Sequence, residues 1–231
     1  MLNCFVPFVS HRAISGGAVQ IADAMYKYLV KANPPNAIIF GQRADSIAYA
    51  GPNQVVVGVG GIARTYSNVI STIPLPVLRT LYLSNAGLSP MQSNALRELD
   101  YGPSVKVGMQ FATAWWTTGK TISGQPLNIV GGQSYTDRPL RTIVYPSFGN
   151  ALQGQTTTLI ASYTWTADAT RLAALVERDP KRLENLVLVQ LAEIHNVDVG
   201  FLQDQLIASF PWSWDNNIDT MGMFSCLFFF L

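Results

Sequence analysis

Histidine and cysteine are scarce in this 231-residue chain: His11 and His195 are its only histidines, Cys4 and Cys226 its only cysteines. A histidine-based zinc site or hydrolytic triad would have to use one of those two imidazoles, and no suitable motif surrounds either, so no metal site is expected. The cysteines stand near opposite ends without CxxC spacing, which indicates neither a disulfide framework nor a zinc knuckle. Charge is thin as well. Asp, Glu, Lys and Arg make up 13% of the residues, fifteen basic against fourteen acidic. With no basic run, there is no electrostatic footprint for nucleic acid or an anionic membrane surface. Long apolar runs are also missing: residues 226–231 read Cys-Leu-Phe-Phe-Phe-Leu, far short of the roughly 20 apolar residues that span a bilayer. No membrane span is therefore expected, although an exposed tail of this kind favours aggregation. Residues 1–9 are apolar but hold Pro7 and no basic residue, and no Asn-x-Ser/Thr sequon occurs, so nothing supports secretion.

What remains is a hydrophobic fraction of 48%, that of a globular protein with a sizeable core. Ile21, Met25, Tyr28 and Leu29 lie at helical spacing after Gly16-Gly17, and Asn33-Pro34-Pro35 stops that helix. Residues 37–40, 45–49, 55–59 and 69–73 are β-rich runs separated by breakers, which predicts an antiparallel meander. Ser89-Pro90 opens a helix through Leu99. Val105, Val107, Met109 and Phe111 alternate with Lys106, Gly108 and Gln110, which predicts a strand with Lys106 opposite its apolar face. Residues 141–145 and 157–163 are further strand candidates. Asp179-Pro180 starts a helix whose stripe is Leu183, Leu186, Val187, Leu191 and Ile194, ending at His195, where a cation would complement the helix dipole. The fold class expected is α+β in two layers.

Three motifs fail on context. Gly58-Val59-Gly60-Gly61-Ile62-Ala63 matches a dinucleotide-binding pattern. Strand-like residues follow it instead of a helix, and no acidic residue stands about 20 positions on, so a hairpin turn is expected. Residues 114–121, ending Gly119-Lys120-Thr121, resemble a phosphate loop, but Trp115 and Trp116 occupy the space it needs. Glu98 and Asp100 diverge at i, i+2 on a helix and make no general acid/base pair.

A resemblance joins the remaining signals. Lys106 on a strand, followed ten residues later by Trp116, is similar to a pattern of flavin-containing amine oxidases. Gly131-Gly132-Gln133-Ser134-Tyr135-Thr136-Asp137-Arg138-Pro139, with Arg141 and Tyr145-Pro146, resembles a segment of L-amino acid oxidases. Residues 191–195, Trp214 with Gly222 eight residues on, Gly16-Gly17 with residues 24–26, and residues 69–74 follow in the order of that family. The resemblance runs from about Arg12 to Phe224.

It implies oxidative deamination of L-amino acids with molecular oxygen and release of hydrogen peroxide, with FAD held non-covalently because Gly222-Met223 stands where monoamine oxidases carry a flavin-linking cysteine. It implies that Lys106 reaches the flavin N5 through a water and that the Tyr163 hydroxyl binds the substrate carboxylate. Trp165 and Phe224 would line the side-chain pocket, favouring apolar or aromatic substrates. The backbone at Ala44 would meet the adenine, and Trp214 would lie near the flavin. It further implies a partial FAD-binding domain over residues 1–80 (helix plus β meander), a substrate-binding domain over residues 81–206 with a mixed or antiparallel sheet and flanking helices, and a truncated return segment over residues 207–231. The family's Gly-rich first turn and closing flavin segment have no counterpart in the chain, so a fragment with poor FAD binding and little parent activity is expected. A monoamine or polyamine oxidase acting on an amine substrate, or a non-catalytic remnant offering only interaction surface, are the alternatives; a homo-oligomer is compatible with either.

Overall fold

The computed structural model describes residues 14, 16–32, 38–147 and 157–225. The chain divides into two compact units, residues 1–43 and residues 44–231. The described part of the first is helix α1 (Val19–Ala32), none of whose residues is buried, together with residues 38–43, among which Phe40 meets Tyr26 with ring centroids 5.5 Å apart. Residues 38–40 form no strand.

The second unit opens with a meander, β1 (Ala44–Gly51), β2 (Gln54–Val59) and β3 (Ile62–Tyr66), antiparallel in that order. Gly60 and Gly61 join β2 to β3 with φ of 57° and 78°. A two-residue hairpin of the type whose twist matches its strands requires two positive φ angles in succession, which glycine adopts without penalty. The dinucleotide-like pattern is therefore a hairpin, as its context indicated. Residues 69–73, expected as strand, run as irregular chain into Pro74. The third strand is made by Ile62–Tyr66, which pair with residues 55–59. Short helices α2 (Leu75–Leu78) and α3 (Pro90–Glu98) follow. The Ser89 side chain accepts from the Gln92 amide and the Gln92 side chain from the Ser89 amide, a reciprocal cap that satisfies two otherwise orphaned donors.

Five antiparallel strands then form the main sheet in the order β6 (Gln133–Tyr135), β7 (Thr142–Val144), β8 (Thr158–Trp165), β5 (Ser104–Phe111), β9 (Leu206–Ser213). A two-stranded ribbon pairs β4 (Tyr101–Gly102) with β10 (Phe224–Ser225). One face of the main sheet is dry. Val105, Val107, Met109 and Phe111 of β5 are all 0% exposed and join Leu159 and Ala161 of β8 in the core. Helices α5 (Thr166–Arg178), α6 (Pro180–His195) and α7 (Val199–Gln205) cover that face. The one-turn helix α4 (Trp115–Thr118) sinks Trp115 and Trp116 into the same core, and a Cβ at Gly119 would collide with the Trp115 carbonyl, so this loop holds indoles where a phosphate would sit. The α6 stripe behaves as its spacing predicts: Leu183, Val187 and Leu191 are buried and the Asp179 carboxylate caps the helix at the Arg182 amide. The molecule is thus α+β, helices on one face of an antiparallel sheet.

Leu191→Ala leaves a void in this close-packed layer and should lower unfolding free energy by about 2–5 kcal/mol. Met91→Ala, on exposed α3, should change it by less than about 0.5 kcal/mol; urea denaturation of both variants checks the contrast.

Candidate functional site

The other face of the sheet carries the residues singled out from sequence. Strand register sets them side by side: Lys106 pairs with Tyr163 on β8 and with Trp212 on β9, Tyr163 pairs with Thr142 on β7, and Thr142 with Tyr135 on β6. Cross-strand partners share a face, so Tyr135, Thr142, Tyr163, Lys106 and Trp212 form one row across all five strands. Trp165, two residues along β8, extends the same face.

The Lys106 ammonium lies over the Tyr163 ring, 4.7 Å from its centroid, a cation–π geometry. It has no ion-pair partner among the described residues. Tyr163 and Trp165 meet edge to face at 4.8 Å. The Tyr163 hydroxyl donates to the Met223 thioether at 3.2 Å, and burial raises its pKa above the ordinary value, so the phenol stays a proton donor. A thioether is a weak acceptor, and an anion arriving at this hydroxyl displaces little. Met223 is brought there by the ribbon, its amide donating to the Gly102 carbonyl at 3.1 Å.

Trp214 follows Trp212 on the same side, the two indoles meeting edge to face at 6.0 Å, while Trp212 stacks on Phe210. The indole nitrogens of both tryptophans are buried and bond no acceptor among the described residues. Buried donors of that kind call for a partner. An aromatic platform and a cation with no ion-pair partner among the described residues suit a planar heteroaromatic ring bearing acceptors, and on that test the residues present fit a flavin. Ala44 stands elsewhere, at the start of β1 opposite Val59 in the meander. Phe224 pairs through its backbone with Gly102. Trp212, two residues before Trp214, stands beside it as an equal candidate for the aromatic expected there. Met223 was marked by the resemblance only through its place in Gly222-Met223, and its contact with Tyr163 was not expected.

Two polar networks hold the rim. Asp168, in the first turn of α5, accepts from Arg141 Nε and, at 3.0 Å, from Arg171. These bonds, Arg141's first, hold its carboxyl below the usual range. His195 is buried, its Nδ1 2.8 Å from the Leu191 carbonyl and its Nε2 2.5 Å from the Tyr145 hydroxyl, which lies 3.0 Å from Ser134 Oγ. A carbonyl only accepts, so Nδ1 carries the proton and Nε2 accepts from Tyr145. Burial pushes the His195 pKa down. It is a neutral pin and not the helix-end cation expected, because desolvation outweighs the bond to the Leu191 carbonyl.

Residues 5–221 match the family model described as flavin containing amine oxidoreductase. L-amino-acid oxidase 4 of Hebeloma cylindrosporum is 46% identical over 225 residues, covering 94% of this chain and 36% of that protein. A putative bifunctional amine oxidase of Dictyostelium discoideum is 41% identical over 168 residues, 72% of this chain and 15% of that protein. The chain therefore spans little more than a third of the first of these relatives and less of the second. Solved structures of putrescine oxidase and of cyclohexylamine oxidase from Brevibacterium oxydans share the fold, each with a TM-score of 0.66, at 15% and 12% identity, covering 91% and 90% of this chain and 41% and 40% of theirs. The chain belongs to the flavin-containing amine oxidoreductase family. Among the described residues no helix is long and apolar enough to cross a membrane and no cluster suited to a metal ion occurs.

The depressed His195 pKa has a definite sign. The folded state favours the neutral ring, so the stabilisation is complete above the unfolded value of about 6.5 and is lost as pH falls through the lower folded value. The urea midpoint of the wild type should fall below about pH 6.5, and His195→Gln should lack that component in the difference curve.

Proposed function

We propose that the protein takes part in FAD-dependent oxidative deamination of L-amino acids, and the observation that carries this reading is the adjacency of Lys106 and Tyr163 on one sheet face. Tyr163, a phenol whose pKa burial raises further, donates to the substrate carboxylate and gives up the Met223 thioether to do so; hydrogen bonds to charged groups are the stronger ones. Orientation follows, because a carboxylate fixed at Tyr163 places the α-carbon beside the fixed ammonium of Lys106. That ammonium, without an acidic partner, holds a water at the reacting centre. Trp165 lines the side-chain pocket, to which Phe224 is also assigned by resemblance. Trp214 borders the cofactor ring and the backbone at Ala44 its adenine; with Gly222-Met223 at the linking position, the cofactor is held without a covalent bond. Bound FAD supplies the two-electron acceptor, so that the amine becomes an imine that hydrolyses to a keto acid and ammonia, with oxygen ending as hydrogen peroxide. Residues 81–206 serve as the substrate-binding domain in this reading, with residues 1–80 and 207–231 on the cofactor side.

A carboxylate requirement separates this reading from a monoamine or polyamine oxidase. Peroxide release should be seen with an L-amino acid and not with the amine that lacks its carboxylate. Tyr163→Phe should raise KM for the amino acid about tenfold or more, from loss of a hydrogen bond to a charged group. Lys106→Met should lower kcat about 10²- to 10⁴-fold, the range of positioned proton-transfer groups. Equal turnover of the amine, or no effect of Tyr163→Phe on KM, overturns the assignment; absence of any flavin-dependent turnover leaves the non-catalytic alternative.

A further inference from the structure

One strand away from Tyr163, on the same sheet face, lies a pocket of about 260 Å³ lined by Tyr135, Thr136, Arg141, Thr142, Trp165 and Thr166. Its polar end is Arg141. The guanidinium is held through Nε alone by Asp168, and Asp168 is fixed in turn by Arg171, so the group has one orientation. Neither Nη of Arg141 has a hydrogen-bond partner among the described residues, and its side chain is 48% exposed. A guanidinium anchored by one edge presents the other as a planar fork that matches a carboxylate. The backbone is set for this arrangement at a cost: Arg141 and Thr166, both pocket residues, have φ of 54° and 58°, a region a β-branched threonine rarely enters and one that clusters at binding sites.

We propose that this pocket is a carboxylate subsite and, resting on the oxidase reading above, that it receives the acidic side chain of a dicarboxylic amino acid whose α-carboxylate sits at Tyr163. Tyr135, 76% exposed, and Trp165, 42% exposed, form aromatic walls for the intervening methylenes, and the Arg141 fork meets the acid. This adds an anionic substrate class to the apolar and aromatic side chains that the large pocket residues favour. Nearby charges balance: Arg141 and Arg171 stand against Asp168 and Asp137, the latter accepting from Thr136 at 3.4 Å, while Arg138 pairs with Glu193. Binding therefore rests on directed hydrogen bonds and not on a diffuse positive field, and should depend only weakly on salt.

The test is a titration of the isotope-labelled protein, followed by NMR at the Arg141 Nε–H and the Trp165 indole N–H, with succinate and L-glutamate as probes and succinamide as the uncharged control. Saturable shifts with both acids and not with the diamide are expected. Arg141→Lys keeps the charge but loses the fork, and should weaken succinate about tenfold or more. Should that variant fail to fold, Tyr135→Ala removes an exposed wall without touching the Arg141–Asp168 pair and should weaken L-glutamate severalfold. No shift in the wild type, equal shifts with succinamide, or unchanged affinity in a folded Arg141→Lys variant overturns the proposal. Because no turnover is read, the two readings fail separately: a protein that oxidises L-leucine without binding succinate loses only the subsite, and one that binds succinate without oxidising any amino acid loses only the oxidase.

Discussion

A strand with one dry face can sit in its sheet only one way round, and β5 is such a strand. Val105, Val107, Met109 and Phe111 are fully buried, each side chain contributing roughly 1.5–3 kcal/mol by leaving water. A slip of one residue against β8 would expose all four and drive the Lys106 ammonium into a layer of leucine and tryptophan, where an unpaired charge is untenable. The apolar half of the alternation thus fixes the position of the polar half. Lys106 stands between Tyr163 and Trp212 on the face that the packing of the opposite one leaves to it.

The turn between β6 and β7 is held with similar economy. Arg141 ties its end to the first turn of α5 through Asp168, Arg138 ties its middle to α6 through Glu193, and Ser134 before it reaches Tyr145 and, through it, His195. Exposed ion pairs contribute little to stability on their own. Here the carboxylate of Asp168 is 10% exposed and bridges two arginines, a better-determined arrangement, and its consequence is positional: it aims a guanidinium along the face that carries Tyr163.

The elements that the sequence makes legible are those in which local chemistry and burial agree. The alternation of β5, the double-glycine hairpin, and the Asp179 cap with its leucine stripe each carry a periodicity or a backbone requirement that survives without tertiary context. Residues 69–73 show where that reading fails: Ile62–Tyr66 take the place beside β2, and β propensity yields to context in a segment that no strand pairs. His195 misleads for a related reason, because its place at a helix end is local while its burial against Trp115, with ring centroids 5.0 Å apart, is not. In the candidate site, Lys106 and Tyr163 were singled out through resemblance and the register sets them side by side, whereas the contact of Tyr163 with Met223 joins residues sixty positions apart and could not be read from either segment.

The sheet face that carries Lys106 also holds a strand glycine that backbone geometry does not require. The row next to Lys106 on the same face reads Gln133, Val144, Ile160, Gly108 and Phe210. Gly108 does not have the positive φ that usually demands glycine, and a Cβ there would come no nearer than 3.9 Å to the Phe210 carbonyl, an ordinary contact. Neither strain nor crowding within the chain explains it. What glycine gives at this point is an absence of volume over the central strand, about 7 Å along the strand from Lys106 and on its side. Ile160 and Phe210 flank that gap, and a strand glycine without strain or crowding of its own leaves the backbone bare between them.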